Sequence, residues 1–197
     1  MGKIGVLALQ GAFREHREVL DALGATSVEV RTSEHLSGVD ALILPGGEST
    51  AMAKLLDSSG LHEPLAHEIR DGLPVFGTCA GLILLATDVL DGRPDQWSFG
   101  AIDVAVRRNA YGTQRASFEA GLSIDDLALD GRDGDPFPGV FIRAPVVESV
   151  GEGVAVLAEH DGRPVLCRQR NVWVSTFHPE LSGDLRLHQR FLQEVNA

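Results

Sequence analysis

Three times along this chain a predominantly apolar run ends in a glycine-containing turn and gives way to residues at helical spacing. The runs are IGVLAL at 4–9, VDALILPGG at 39–47 and LPVFGTCAGLILLA at 73–86. A strand that is apolar at every position must be covered on both faces, which is the condition of strands inside a parallel sheet. After the first run, Phe13, His16, Val19, Leu20 and Leu23 recur at helical spacing, so strand passes into helix. A strand at 27–31 and helices at 49–56 and 61–70, parted by Gly60, continue the alternation. The pattern predicts an α/β fold with a mostly parallel sheet and helices on both faces.

Beyond about residue 92 the texture changes. Short strand candidates at 101–108, 116–120, 140–147, 154–160, 164–170 and 172–177 are separated by Gly, Asp or Pro turns, and a final helix is expected at 183–195. DGRDGDPFPG at 130–139 is expected to be a solvated loop, because it lacks the spacing and terminal glutamate of a calcium loop. A chain of 197 residues buries one substantial core, so 1–197 is expected to form a single domain. Its net charge of -11 argues against nonspecific binding to nucleic acid or acidic membranes. The first residues lack the hallmarks of a secretory signal, and no apolar stretch approaches the roughly 18 residues needed to span a bilayer. Cys79 and Cys167 are the only cysteines, and together with the missing export signal they predict cytosolic thiols and a cytoplasmic protein.

The third apolar run carries the chemistry. Gly77-Thr78-Cys79-Ala80-Gly81 between a strand and an apolar helix has the form of a nucleophile elbow, with cysteine as the nucleophile. Small residues at 77, 80 and 81 let strand and helix approach around a strained turn. The thiol lies at a helix N-terminus, where backbone N–H groups and the helix dipole favour negative charge. Cys167, in PVLCRQR, is expected to be a buried structural cysteine.

A cysteine nucleophile needs a base, and the base must be oriented. WVSTFHPEL supplies His178 and Glu180 at the end of an apolar strand, where positions i and i+2 of extended chain face the same way. Attack on a carbonyl also needs oxyanion donors, for which the N–H groups of Ala80 and Gly47 are the candidates. Gly47 belongs to LILPGGEST, where a strand ends and Ser49 or Thr50 can start the next helix; the stretch has neither the length nor the lysine of a phosphate loop. The histidines at 16, 35, 62, 67, 160 and 188 form no metal-ligand motif and are expected to be surface or partly packed residues. No GxGxxG fingerprint follows the first strand, and Trp97 and Trp173 can either pack or bind.

With these residues in place, the chain resembles the triad glutamine amidotransferases. Within them it is similar to the glutaminase-subunit family of pyridoxal 5'-phosphate synthases, through IGVLALQGAFREH, LILPGGEST, FGTCAGLILLA, RRNAYGTQRASFEA, FIRAP and STFHPEL. The resemblance implies a three-layer α/β/α sandwich of flavodoxin-like type, with Cys79, His178 and Glu180 as catalytic triad. It further implies glutamine contacts at Gly47, Glu48, Ser49, Arg108, Ile142 and Arg143. Arg108 or Arg143 would neutralise the substrate carboxylate and Glu48 would help hold its ammonium. Gln10 and Gly11 match the family segment beside the active site and the synthase interface. The implied partner is a (β/α)₈-barrel synthase that receives the ammonia, in an assembly of 12 synthase and up to 12 glutaminase subunits. The chain itself would need no metal or cofactor, since pyridoxal 5'-phosphate is the partner's product. Two alternatives stay open, a glutaminase serving another synthase and a noncatalytic binding or regulatory protein of related fold.

Overall fold

The computed structural model describes residues 2–93, 96–108, 117–124 and 134–196. Five strands run parallel in the main sheet: β1 (Lys3–Leu7), β2 (Thr26–Val30), β3 (Ala41–Leu44), β4 (Val75–Thr78) and β12 (Val172–Ser175). The antiparallel pair β10 (Ala155–His160) and β11 (Arg163–Gln169) extends one edge, giving the order β10-β11-β12-β4-β3-β1-β2. Its parallel part follows the flavodoxin-like order, with a switch point between β1 and β3 where a crevice opens at the carboxyl ends of the strands.

The apolar runs are continuous because both faces of the sheet are buried, and alternate residues serve opposite layers. Leu42, Leu44, Val75, Val172 and Val174 pack with α3 (Ser49–Ser58), α4 (His62–Arg70) and α5 (Ala80–Leu85). Ala41, Ile43, Phe76 and Trp173 pack on the other side with Leu20 of α1 (Phe13–Ala22) and with Leu187, Phe191 and Leu192 of α6 (Arg186–Val195). The outcome is the expected three-layer α/β/α arrangement. A short helix, α2 (Ser33–Leu36), adds Leu36 to the first of these layers. Among the described residues, no helix is long and apolar enough to cross a membrane.

Among the described residues two small sheets stand beside the main one, β5 (Ala86–Val89), β6 (Ile102–Arg107) and β9 (Val146–Val150) in one, β7 (Ser117–Leu122) and β8 (Phe137–Ile142) in the other. Here the expected elements need correction. The strand anticipated at 140–147 is two strands in different sheets, broken where Arg143 turns to φ +44 just before Ala144 and Pro145. The apolar run after Cys79 leaves the helix at Leu85 and continues as β5, which sequence periodicity does not distinguish from more helix. The loop expected at 130–139 is described only from Gly134 onward: exposed through Pro136, it becomes strand at Phe137, whose ring is buried beside Phe177. Cys167 is a buried strand residue as anticipated, and burial pushes its thiol up to about 12.

Candidate active site

The carboxyl ends of β1, β3, β4 and β12 converge on a cleft of about 390 Å³ lined by Gln10, Gly47, Cys79 and His178 among others. Cys79 sits between β4 and α5 with φ +49 and ψ −99, a conformation that a non-glycine residue holds only under strain from its surroundings. Its N–H donates to the Ser175 carbonyl at 2.8 Å, which ties the turn to β12. The turn is tight enough that a Cβ on Gly77 would lie 2.6 Å from Leu85 Cδ1 and 2.8 Å from the Gly81 carbonyl. Cys79 is only 6% exposed and lines the cleft.

His178 follows β12, and its backbone N–H donates to the Val140 carbonyl of β8 at 2.8 Å. The His178 ring presses on Gly46, where a Cβ would come within 2.3 Å of its Cε1. Pro179 then opens a 3-10 turn, Pro179–Leu181, which swings Glu180 back so that its Oε1 lies 2.7 Å from His178 Nδ1. The pair meets as expected, although a turn rather than extended chain brings it about. Burial lowers the affinity of His178 for a proton, yet hydrogen bonds to Cys79 and Glu180 and the charge on both outweigh this and raise its pKa. Burial raises the Glu180 carboxyl, but the facing His16 and His178 more than offset it and keep the carboxyl below its usual range.

Gly47 lines the cleft, and the Ala80 N–H, at the first position of α5, belongs to the N-terminal donors that have no intrahelical acceptor. Gln10 Oε1 accepts from the Glu48 N–H at 2.9 Å, and the Ala12 N–H donates to the Gly46 carbonyl at 2.9 Å, so the segment after β1 holds the Pro-Gly-Gly loop. Gly11, at φ +96, permits this approach: a Cβ there would sit 1.9 Å from the Gly46 carbonyl oxygen.

Glu48, Ser49, Arg108, Ile142 and Arg143 all line the same cleft. Glu48 is more committed than its sequence suggested. Its carboxylate caps α3, accepting from Thr50 N–H at 3.1 Å and Ala51 N–H at 2.6 Å, and it pairs with Arg108 at 3.2 Å. Arg108 also donates to Gln96, whose Nε2 donates to Ser49 Oγ at 3.3 Å. Gln96 is a member of this cluster that nothing in GRPDQWSFG announces. The remainder of the RRNAYGTQ motif, 109–114, lies outside the described residues.

The largest correction concerns the histidines. His16 and His188 are fully buried, not surface residues, and stand behind Glu180. The available signal was their place on the apolar stripes of α1 and α6. His62 stacks on Trp97 with ring centroids 3.6 Å apart, and Trp173 packs in the core, so both tryptophans make packing contacts.

The buried pair has a consequence for stability. Burial and the neighbouring His16 push His188 down to about 3, and burial lowers His16 as well. Between that value and the ordinary 6.5 the unfolded chain binds more protons, so stability falls as pH drops through this window. His188 alone supplies a slope of up to about 1.4 kcal/mol per pH unit. The depressed Glu180 acts in the same direction below its unfolded value, while the raised His178 contributes stability fully present below 6.5 and lost only above it. Melting temperatures from pH 7 to pH 4 are expected to fall more steeply for the parent than for a His188→Gln variant. Parallel curves would contradict a buried neutral histidine.

The model of the SNO glutamine amidotransferase family matches residues 6–197. The chain belongs to that family. It is 52% identical over 194 residues to pyridoxal 5'-phosphate synthase subunit PdxT of Streptomyces coelicolor, covering 98% of this chain and 94% of that protein. It is 53% identical over 196 residues to the protein of the same name from Leifsonia xyli, covering 99% and 96%. A crystal structure of a glutamine amidotransferase superposes with a TM-score of 0.90 at 48% identity, over 98% of this chain and 99% of the other. A GMP synthase protein of Thermoplasma acidophilum, at 17% identity and TM-score 0.71 over 100% and 94%, shares the fold.

Proposed function

We propose that this chain is a single-domain cytoplasmic glutaminase, hydrolysing L-glutamine to L-glutamate and ammonia, which it delivers to a synthase partner making pyridoxal 5'-phosphate. The observation that carries this reading is the strained Cys79 facing a His178–Glu180 pair in a cleft that also holds Arg108 and Arg143. Its free thiols, Cys79 and Cys167, suit a reducing compartment.

In the proposed reaction His178 accepts the Cys79 proton, and the thiolate attacks the side-chain amide carbon of glutamine. The N–H groups of Gly47 and Ala80 hold the resulting oxyanion. The imidazolium then protonates the leaving nitrogen, the C–N bond breaks, and ammonia departs from a glutamyl thioester. His178 takes a proton from water, the hydroxide adds to the thioester, and glutamate leaves as the thiol is restored. Arg143 supplies charge for the substrate carboxylate. The Glu48 cap and its ion pair with Arg108 prepare one wall of the site, so Glu48 meets the substrate ammonium with a carboxylate already held in place.

Free ammonia diffuses or is protonated, so a docked acceptor makes chemical sense. The relatives named as pyridoxal 5'-phosphate synthase subunits support a synthase in that role. We assign it the form of a (β/α)₈ barrel, in an assembly of 12 synthase and up to 12 glutaminase subunits, with Gln10 and Gly11 at the contact. Glutamate release is expected from the purified chain and to rise on adding the synthase. Cysteine-dependent release without stimulation would point to a different partner, and none in either preparation would defeat the glutaminase reading.

A further inference from the structure

Glu180 spends one oxygen on His178, and the other, Oε2, is buried without a hydrogen-bond partner. What faces it is His16 Nε2 at 3.4 Å, a ring nitrogen that is also 3.2 Å from Thr78 Oγ1. The other nitrogen of His16, Nδ1, lies 2.9 Å from His188 Nε2. The hydrogen positions follow from what each group can do. A carboxylate only accepts, so a proton on Nε2 of His16 is the arrangement that both Glu180 Oε2, facing it, and Thr78 Oγ1, its hydrogen-bond partner at 3.2 Å, tolerate. A neutral His16 then accepts at Nδ1, which requires His188 to donate from Nε2. The remaining His188 Nδ1 is a bare acceptor with no hydrogen-bond partner among the described residues, while the His188 ring packs edge-on with Phe76 at 5.9 Å between centroids. A consistent chain therefore runs from His188 through His16 to the far side of Glu180.

We propose that His16, held by His188, is a positioning residue for the reaction: from behind the triad it fixes the plane of the Glu180 carboxylate, so that Oε1 stays aimed at His178. The proposal rests on the cysteine, histidine and glutamate reading of the site. The elements that carry these residues give the arrangement its purpose. Glu180 stands on a single 3-10 turn, whereas His16 and His188 project from the two ten-residue helices that pack on the sheet. A carboxylate on a short turn gains its orientation from those longer elements, as ligand-holding residues elsewhere do from the shell behind them. The ionisable groups around His16 are Glu180, His178, His188 and Glu15, and around His188 they are His16 and Glu180. Two neutral imidazoles let the cluster present an N–H to Glu180 without adding a positive charge that would compete with His178 for it.

The test uses the complex with the synthase and the variants His16→Leu, His16→Gln and His188→Phe, beside Cys79→Ala. Gln places an amide N–H near the position of Nε2, and Leu places none. His16→Leu is expected to lower kcat about 10- to 100-fold at unchanged KM, with His16→Gln recovering most of the loss. Alkylation of Cys79 by iodoacetamide should move to higher pH in His16→Leu, because a misaligned Glu180 stabilises the imidazolium less. Parental kcat in His16→Leu overturns the proposal. Equal losses in Leu and Gln variants, with an unmoved alkylation profile, also overturn it and leave only a packing role. Should His16→Leu not fold, His188→Phe decides alone: parental kcat and alkylation there refute the relay. Turnover retained in Cys79→Ala would instead defeat the underlying triad, a distinguishable failure.

Discussion

Cys79→Ala is expected to abolish glutamate release, by about 10⁴-fold or more in kcat, while the protein melts within a few degrees of the parent. The size of the loss follows from the absence of a substitute nucleophile. The other thiol, Cys167, is buried in β11 and burial pushes it up to about 12, so it does not ionise near neutrality. A water attacking glutamine directly would keep the oxyanion donors but forgo the thioester that divides the reaction into two easier steps. The small effect on stability has a separate cause. Alanine retains the Cβ and keeps the backbone at φ +49, so the strain of the elbow is the same in both proteins, and the bond from residue 79 N–H to the Ser175 carbonyl survives. What disappears is one sulfur on the wall of the cleft. Turnover in a clean, fully assembled Cys79→Ala preparation would remove the cysteine from the mechanism. A large drop in melting temperature would show that Cys79 holds the fold as well.

The parts of this structure that could be read from sequence are those in which one local rule acts alone. IGVLAL, ALIL and VFGT are apolar at nearly every position because both sheet faces are covered, and that suffices to place β1, β3 and β4 and the crevice at their ends. The elbow was equally plain, since Gly77 and Gly81 flank Cys79 for reasons of packing that no other residue satisfies. His178 and Glu180 were legible as a pair, although their meeting depends on a 3-10 turn that Pro179 starts. Other features depend on contacts between distant segments. The break at Arg143 separates two apolar stretches that look continuous, because it is decided by which sheet each half joins. His16 and His188 are 172 residues apart and each looks ordinary alone; only the packing of α1 and α6 on one face of the sheet reveals that they are partners. Gln96 and the ion pair of Glu48 belong to the same class, being set by where Arg108 arrives in space, whereas the Glu48 cap of α3 is local.

The second large effect is expected at Gly81, where two rules predict opposite signs. Gly81 lies in α5, and by helix propensity alone Gly→Ala should stabilise by about 1 kcal/mol. The contact is decisive instead. A Cβ on Gly81 would stand 2.1 Å from the Leu44 carbonyl oxygen, 2.9 Å from the Leu44 carbonyl carbon and 3.0 Å from its Cβ. Leu44 is the last residue of β3, hydrogen-bonded into the sheet and followed by the Pro-Gly-Gly loop, so it has no flexible end to swing aside. The helix must therefore retreat by about an ångström from a close-packed core, for which overpacking costs of about 1–3 kcal/mol or more are typical. At about 2–4 °C per kcal/mol for a chain of this size, Gly81→Ala is expected to melt about 2–12 °C below the parent. The same retreat carries Cys79 and the Ala80 N–H away from Gly47, and misplacement on that scale costs about 10²-fold in turnover. Gly24→Ala is the control. Its site is open, with no atom within 4 Å, and only its φ of +71 opposes a side chain, so its cost is limited to about 1–2 kcal/mol of left-handed strain with turnover unchanged. Gly81→Ala at or above the parental melting temperature would mean that α5 does not press on the end of β3. The close approach of helix and strand that shapes the elbow would then be no part of how Cys79 is held.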